Sequence, residues 1–293
     1  MKKLILSTAL LASSVFAAGT VVMPYGAYID YSKEAAKDYG FVGGVYASKF
    51  FNKIKLELDA EHTYITYKSY AKYARNNKIS IANVDYNNND YNQNDITGII
   101  NFYLGDKFAF KLGAHSMFID QKNNNDSFDN VYIVGLEYYK YLKYNAGMDY
   151  YASYYDGFNV KQVSPYVGFN FGNYYSPSGS FYLKFQANLI HITDKGVTGR
   201  QNYRNYNITL SNYIKNWTTT LSANFGKSAY RVENGGFVVY NLGEEYKNSF
   251  GVNVKYTWDK VNTFGVGFTY SSFKEDGVDV NSAVYLLSYS RAF

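Results

Sequence analysis

Cysteine is absent from this 293-residue chain and proline occurs only three times. The first absence excludes disulfides, thiolate metal sites, thiol nucleophiles and acylated cysteine anchors. The second leaves long stretches free to pair as strands, because proline cannot donate to a β-ladder. After residue 17, no apolar run approaches the roughly 20 residues that a spanning helix needs. Charge is also scarce: the formal net value is +5, and +3 without Lys2 and Lys3, too little to argue for nucleic acid or for strong steering of anions. No nucleic-acid partner is expected.

What the chain has instead is tyrosine and phenylalanine, 35 and 21 of them, within a composition whose mean hydropathy is slightly polar. Both are strand formers, and tyrosine adds a polar tip suited to a water boundary. At the start, Lys2 and Lys3 precede the apolar run "LILSTALLASSVFA", with Val15 and Ala17 placed for cleavage after Ala17. This reads as a secretory signal peptide over residues 1–17, leaving residues 18–293 as one domain.

Alternation with a period of two recurs almost throughout. In "KFAFKLGAHSMFID", Phe108, Phe110, Leu112, Ala114 and Phe118 share one face, and Lys111, Gly113 and His115 share the other. Residues 53–61 set Ile54, Leu56, Leu58 and Ala60 against Lys53, Lys55, Glu57, Asp59 and Glu61. Residues 142–152, 249–258 and 263–270 repeat the separation. The expected strands are 22–32, 38–48, 51–67, 94–105, 107–119, 130–140, 142–155, 159–171, 180–193, 202–214, 217–230, 246–258, 262–273 and 281–293. That is an all-β chain of about 14 strands, with 12 or 16 as alternatives.

Connections alternate as well. Short ones at 105–107, 141–143, 215–217 and 259–262 alternate with longer polar ones at 69–93, 121–129, 194–201, 231–245 and 274–280, and residues 172–180 form a longer turn on the short side. Tight turns at one end and long loops at the other are the pattern of a transmembrane antiparallel up-and-down β-barrel with both termini in the periplasm. "GGFVVYNL" (235–242) is assigned to an outer loop hairpin, because counting it as one more wall strand would make the number odd. No soluble domain or globular plug is expected.

The last residues are "AVYLLSYSRAF", in which Tyr285, Leu287, Tyr289 and Phe293 share a face. Since every backbone group in a bilayer must be paired, the last strand must close on the first. Here the chain resembles Gram-negative outer-membrane β-barrel proteins, porin-like ones among them, whose C-terminal assembly signal alternates hydrophobic and aromatic residues up to a final Phe. The resemblance implies an outer-membrane location, contact with outer-membrane lipid and lipopolysaccharide, and delivery by the barrel-assembly machinery, with those four residues as the signal.

The expected inner face carries Asp30, Lys53, Lys55, Glu57, Asp59, Glu61, Lys111, His115, Glu137, Lys143, Asp149, Lys184, Gln186, Asn188, Asn253 and Lys255. Charges of both signs argue for water inside, while any one of them serves equally well as a wall-to-wall salt bridge. Glu57, Asp59 and Glu61 fall in one row about 7 Å apart, a spacing that needs lysines or a passing cation to offset it; they are taken as part of a constriction lining.

Other chemistry is thinly supported. Asp85, Asp90 and Asp95, and Asp126 with Asp129, make oxygen-rich stretches, but the spacing is no EF-hand and a solvated loop is the plainer reading, so no metal or cofactor is assigned. The histidines are His62 and His191, expected outward near the external rim, and His115, expected inward. A barrel phospholipase would want His and Ser two places apart on the lipid face; "HIT" (191–193) offers Thr193 and "HS" (115–116) splits the pair across faces. The expected activity is therefore non-enzymatic: a porin-like channel for passive diffusion of small hydrophilic solutes or ions. The rivals are a non-conducting surface adhesin or structural barrel and, further off, a barrel hydrolase.

Overall fold

The computed structural model describes residues 19–68, 70–75, 78–83, 90–121 and 127–293; the signal segment 1–17, Asp85 and Asp126 lie outside these residues. In chain order the first strands are β1 (Thr20–Tyr31), β2 (Lys37–Phe51), β3 (Ile54–Tyr67), β4 (Tyr70–Arg75), β5 (Lys78–Asn83), β6 (Tyr91–Leu104), β7 (Phe108–Gln121), β8 (Ser127–Lys140) and β9 (Tyr144–Tyr155). There follow β10 (Phe158–Gly172), β11 (Ser180–Ile192), β12 (Asn202–Ile214), β13 (Trp217–Phe225), β14 (Val232–Glu233), β15 (Val238–Val239), β16 (Glu245–Trp258), β17 (Asn262–Glu275) and β18 (Val278–Ala292). Fourteen of these close into one barrel in the order β1-β18-β17-β16-β13-β12-β11-β10-β9-β8-β7-β6-β3-β2. The pairs β4-β5 and β14-β15 are separate two-stranded hairpins that are not members of the wall.

The seam is made by β1 and β18, antiparallel from Val21 opposite Ala292 to Tyr31 opposite Ser282, and the Phe293 N–H donates to the Thr20 carbonyl at 2.9 Å. Closure leaves no unpaired edge, which a bilayer requires. Tyr285, Leu287, Tyr289 and Phe293 lie on the outward side of this seam, as expected.

Outward side chains form an apolar band with an aromatic girdle at each end. Near the tight turns, Phe108 packs on Tyr138, Phe171 on Phe181, Trp217 on Tyr256 and Trp258 on Tyr289. At the other end, Tyr28 meets Phe41 and Tyr285, Phe118 meets Phe128, and Tyr132 meets Tyr154. Rings with apolar bodies and polar tips settle at the two water boundaries, so the girdles mark the membrane faces.

The end with long loops is less uniform than its sequence reads. Residues 274–280 contain only a tight turn at Asp276–Gly277 between β17 and β18, and β9 and β10 are joined just as tightly. The connection from Phe225 to Glu245 departs furthest from expectation. It does not project outward: β14, a short 3-10 turn over Asn234–Gly236, and β15 enter the barrel. The lumen therefore holds a plug made from a loop, where a hairpin outside was expected. The reason lies in its composition: Val232, Phe237, Val238, Val239 and Tyr240 are too apolar to face water, and the wall offers them an apolar partner.

Candidate functional site: a lumen with an inserted hairpin

The inserted hairpin leaves the wall between β13 and β16 and reaches the opposite side. Its tip lies against β7 and β8: a Cβ at Gly236 would come within 2.1 Å of Ile133 Cδ1, and one at Gly235 within 3.2 Å of Lys111 Nζ. Glycine is required at 236, where φ is +116° and the wall leaves no room for a side chain. Val232 and Val239 are wholly buried with Ile99, Met117, Val131, Ile133 and Tyr151. On the other flank Val238 and Tyr240 join Met23, Ile29, Val42, Ile65, Phe273 and Val284, and Phe237 meets Tyr46 edge-on at 5.6 Å.

This packing corrects the reading of β1. Its lumen face is Met23, Tyr25, Ala27, Ile29 and Tyr31, all buried, whereas Asp30 points outward. The rule that polar residues face the lumen assumes water there, and beside the hairpin the lumen is packed with apolar side chains.

Polar contacts fasten the hairpin at three places. The Gln162 carboxamide on β10 donates to the Val232 carbonyl at 2.7 Å and accepts the Val232 N–H at 2.9 Å, replacing a backbone pair. The Asn241 Nδ2 donates to Gln93 at 2.8 Å and to the Tyr91 hydroxyl at 3.2 Å on β6. At the rim, Lys37 bridges Glu244 and Glu275, tying the hairpin's exit to β2 and β17. Within the hairpin, the Arg231 guanidinium lies over the Tyr240 ring at 4.5 Å, donates to Ser228 Oγ at 2.9 Å and sits 3.1 Å from Glu233. A buried charge needs such satisfaction within reach, so this group holds the hairpin's shape.

Besides Asp30, two of the predicted lumen charges are off the inner wall. Lys53 and Lys143 lie in the exposed turns after β2 and β8, at the periplasmic mouth, because the chain reverses one residue before the wall reaches them. Lys55, Glu57, Asp59 and Glu61 line β3. Their like charges are accommodated by neighbours that sequence spacing does not reveal. Lys55 Nζ is 2.8 Å from Glu57, which also accepts from the Tyr46 hydroxyl at 2.5 Å and Asn101 at 2.6 Å. The Tyr25 hydroxyl lies 3.0 Å from Asp59 and 2.8 Å from Glu61, drawing those two carboxylates to one donor.

Further round, Lys111 on β7 pairs with Asp149 on β9 at 2.9 Å, and Asp149 accepts the Tyr151 hydroxyl at 3.1 Å. Glu137 on β8 accepts from Tyr166 at 2.8 Å and from Asn145 at 3.0 Å, and the Lys184 ammonium stands 4.3 Å above the Tyr166 ring. His115 lies between Thr97 at 2.6 Å and Asp95 at 3.3 Å, so Asp95 belongs to the wall and not to an outer loop. Lys255 is buried on β16, its stem filling the space beside Gly265. His62 and His191 point outward, each beside an asparagine at 2.9 Å, Asn94 and Asn202.

From β10 to β16 the wall is mostly neutral. Gln162, Ser164 and Asn188 form one hydrogen-bonded set that continues through Asn205, while Ser211 bonds Thr220 and Asn207 bonds Asn224. Gln162, Asn241, Tyr25 and Tyr46 carry much of this arrangement and stood in no sequence-based site. The available signal was the apolar run Phe237–Tyr240 inside a loop otherwise read as solvated.

No protein-family model matches the sequence, and no curated protein matches it in sequence. Solved structures do match in shape. The "CymD monoaromatic hydrocarbon channel" superposes with a TM-score of 0.61 at 10% identity, covering 94% of this chain and 88% of that one. The Ralstonia pickettii toluene transporter TbuX gives 0.58 at 8% identity, covering 94% and 90%. A bacterial polysaccharide outer membrane secretin gives 0.54 at 10%, covering 94% and 99%. At these identities the likeness defines the fold: the chain is a closed 14-strand barrel of the outer-membrane type.

Proposed function

We propose that the protein is an outer-membrane channel for passive movement of small hydrophilic solutes or ions, and that the hairpin between β13 and β16 is its constriction. The observation that carries the reading is the inner wall itself. A barrel meant only as an anchor has no need of Lys55, Glu57, Asp59, Lys111, Glu137, Asp149 and Lys184 in its interior, where unsolvated charge is costly. Such a wall suits a water path whose width is set by the hairpin and whose ion preference is set by the charged rows. The shape neighbours named for channels and transporters are compatible with this, and those named for hydrocarbons carry no substrate over to this chain. Nothing in the reading calls for bond-making or bond-breaking.

The depth of the inserted hairpin favours one rival, a barrel that does not conduct and serves as a surface adhesin or structural element. Planar-bilayer recording separates the two. The channel reading expects discrete steps from the folded full chain and larger steps when residues 232–240 are replaced by a short Gly-Ser linker. A linker variant that is folded and silent under all voltages and salts would defeat the channel and leave the anchor.

A further inference from the structure

The outward face of the barrel's extracellular end is unevenly charged. On three adjacent strands, β10, β11 and β12, the exposed side chains include Lys161, His191 and Arg204. The registers set Lys161 opposite His191, and Arg204 opposite the exposed Leu189 on the same side of the wall. Above them the β11–β12 loop adds exposed Lys195 and Arg200. At the same end of β1 and β2, the outward residues are instead Asp30 and Asp38.

Some other cations of this rim are paired: Lys227 meets Glu245 at 2.6 Å and Lys247 meets Asp279 at 2.6 Å. Among the described residues, Lys161 and Arg204 make no ion pair. Asp194, in the loop above, accepts the Gly196 N–H at 2.7 Å. Immediately towards the membrane lie Leu189, Tyr206 and Phe225, exposed and apolar. The cations therefore stand where a lipid-facing surface meets the headgroup layer.

We propose that Lys161 and Arg204, flanked by His191 and the loop cations, bind phosphate groups on outer-leaflet lipid. A guanidinium presents a planar fork to a phosphate, and an ammonium adds a point charge beside it. The apolar residues beneath give the same lipid's acyl chains a surface, which a free anion would not use. The site lies outside the lumen and is independent of the conductance reading.

The test uses the folded full chain in non-ionic detergent, titrated with diphosphorylated lipid A and with its dephosphorylated form, with bound lipid counted by native mass spectrometry. Lys161→Gln/Arg204→Gln is expected to bind lipid A roughly ten-fold or more weakly than the parent, following the gain per basic residue near an anionic surface. Lys161→Arg/Arg204→Lys, which keeps the charge, and Lys107→Gln/Lys140→Gln, at the periplasmic turns, are expected to bind as the parent does. Heat-modifiable migration shows that each variant is folded, and unchanged single-channel steps separate this site from the lumen. Equal lipid A binding by the folded double-Gln variant overturns the proposal. So does dephosphorylated lipid binding as tightly as lipid A, or lipid A binding abolished by an equimolar amount of inorganic phosphate, which would mark a free-anion site.

Discussion

The two sides of the lumen solve the same problem differently. From β3 to β9 the inner wall carries acidic and basic side chains, most of them held by a lysine or a tyrosine hydroxyl, as in Lys111–Asp149 and Tyr25 with Asp59 and Glu61. From β10 to β16 it carries amides and hydroxyls bonded to one another, with Lys184 and Lys255 as the charged members named above. The hairpin uses both sides by different means. It meets the first mostly with apolar residues, as Val232 and Val239 do with Ile99 and Ile133, with Asn241 bonded to Gln93 and Tyr91 at its exit, and the second through the Gln162 pair with Val232. Directional bonds fix position, while apolar burial supplies most of the attraction.

That contrast gives ways to break it, in falling order of effect. Excising residues 232–240 removes both kinds of contact, and unit conductance is expected to rise on the order of ten-fold, as the constriction becomes the bare wall. Next comes Gly236→Val, which places a Cβ against Ile133 at a φ that a branched side chain resists. The tip should leave its seat, seen as frequent long openings in single-channel records and as cleavage near residue 236 by protease added outside. If the tip stays protected, the seat is more pliable than the packing implies.

Gln162→Leu breaks only the directional side. It leaves the buried N–H and C=O of Val232 unpaired, a cost of about 1–3 kcal/mol for each such group. Amide exchange at Val232 should accelerate accordingly, with barrel melting unchanged; unaltered exchange would mean that apolar packing alone sets the hairpin's position. The smallest effect is expected from Glu57→Gln on the charged side. It keeps the shape and one accepting oxygen, gives up the bond that Asn101 donates to the second oxygen or the one from Tyr46, and removes one negative charge beside Lys55. The reversal potential in a salt gradient should move by a few millivolts towards anion preference, consistent with a screened lumen charge. No movement would place Glu57 away from the ion path.

The architecture was legible because a bilayer imposes a simple rule on each residue. Ile54, Leu56 and Leu58 alternate with Lys55, Glu57 and Asp59, and the structure places the two sets on opposite sides of β3. The same rule failed at β1, where Met23, Tyr25, Ala27 and Ile29 turn inward and Asp30 outward, since alternation reports two unlike faces without saying which one meets lipid. It failed again at 235–242, where strand-like residues were found inside the barrel and not in the outer loops. Lys53 and Lys143 were misplaced for a smaller reason: parity counts faces but not where a strand ends.

Period-two alternation, the spacing of turns and the aromatic closing strand by themselves determined a sealed antiparallel cylinder of about fourteen strands, because those features are local and every strand meets the same solvent boundary; the structure chose fourteen over twelve or sixteen. Only the tertiary structure decided what occupies the cylinder, which tyrosine answers which carboxylate, and where Gln162 meets Val232, 70 residues along the chain. Those contacts join residues far apart in sequence across a curved wall, and no periodicity within one strand encodes the partner that closure brings to face it.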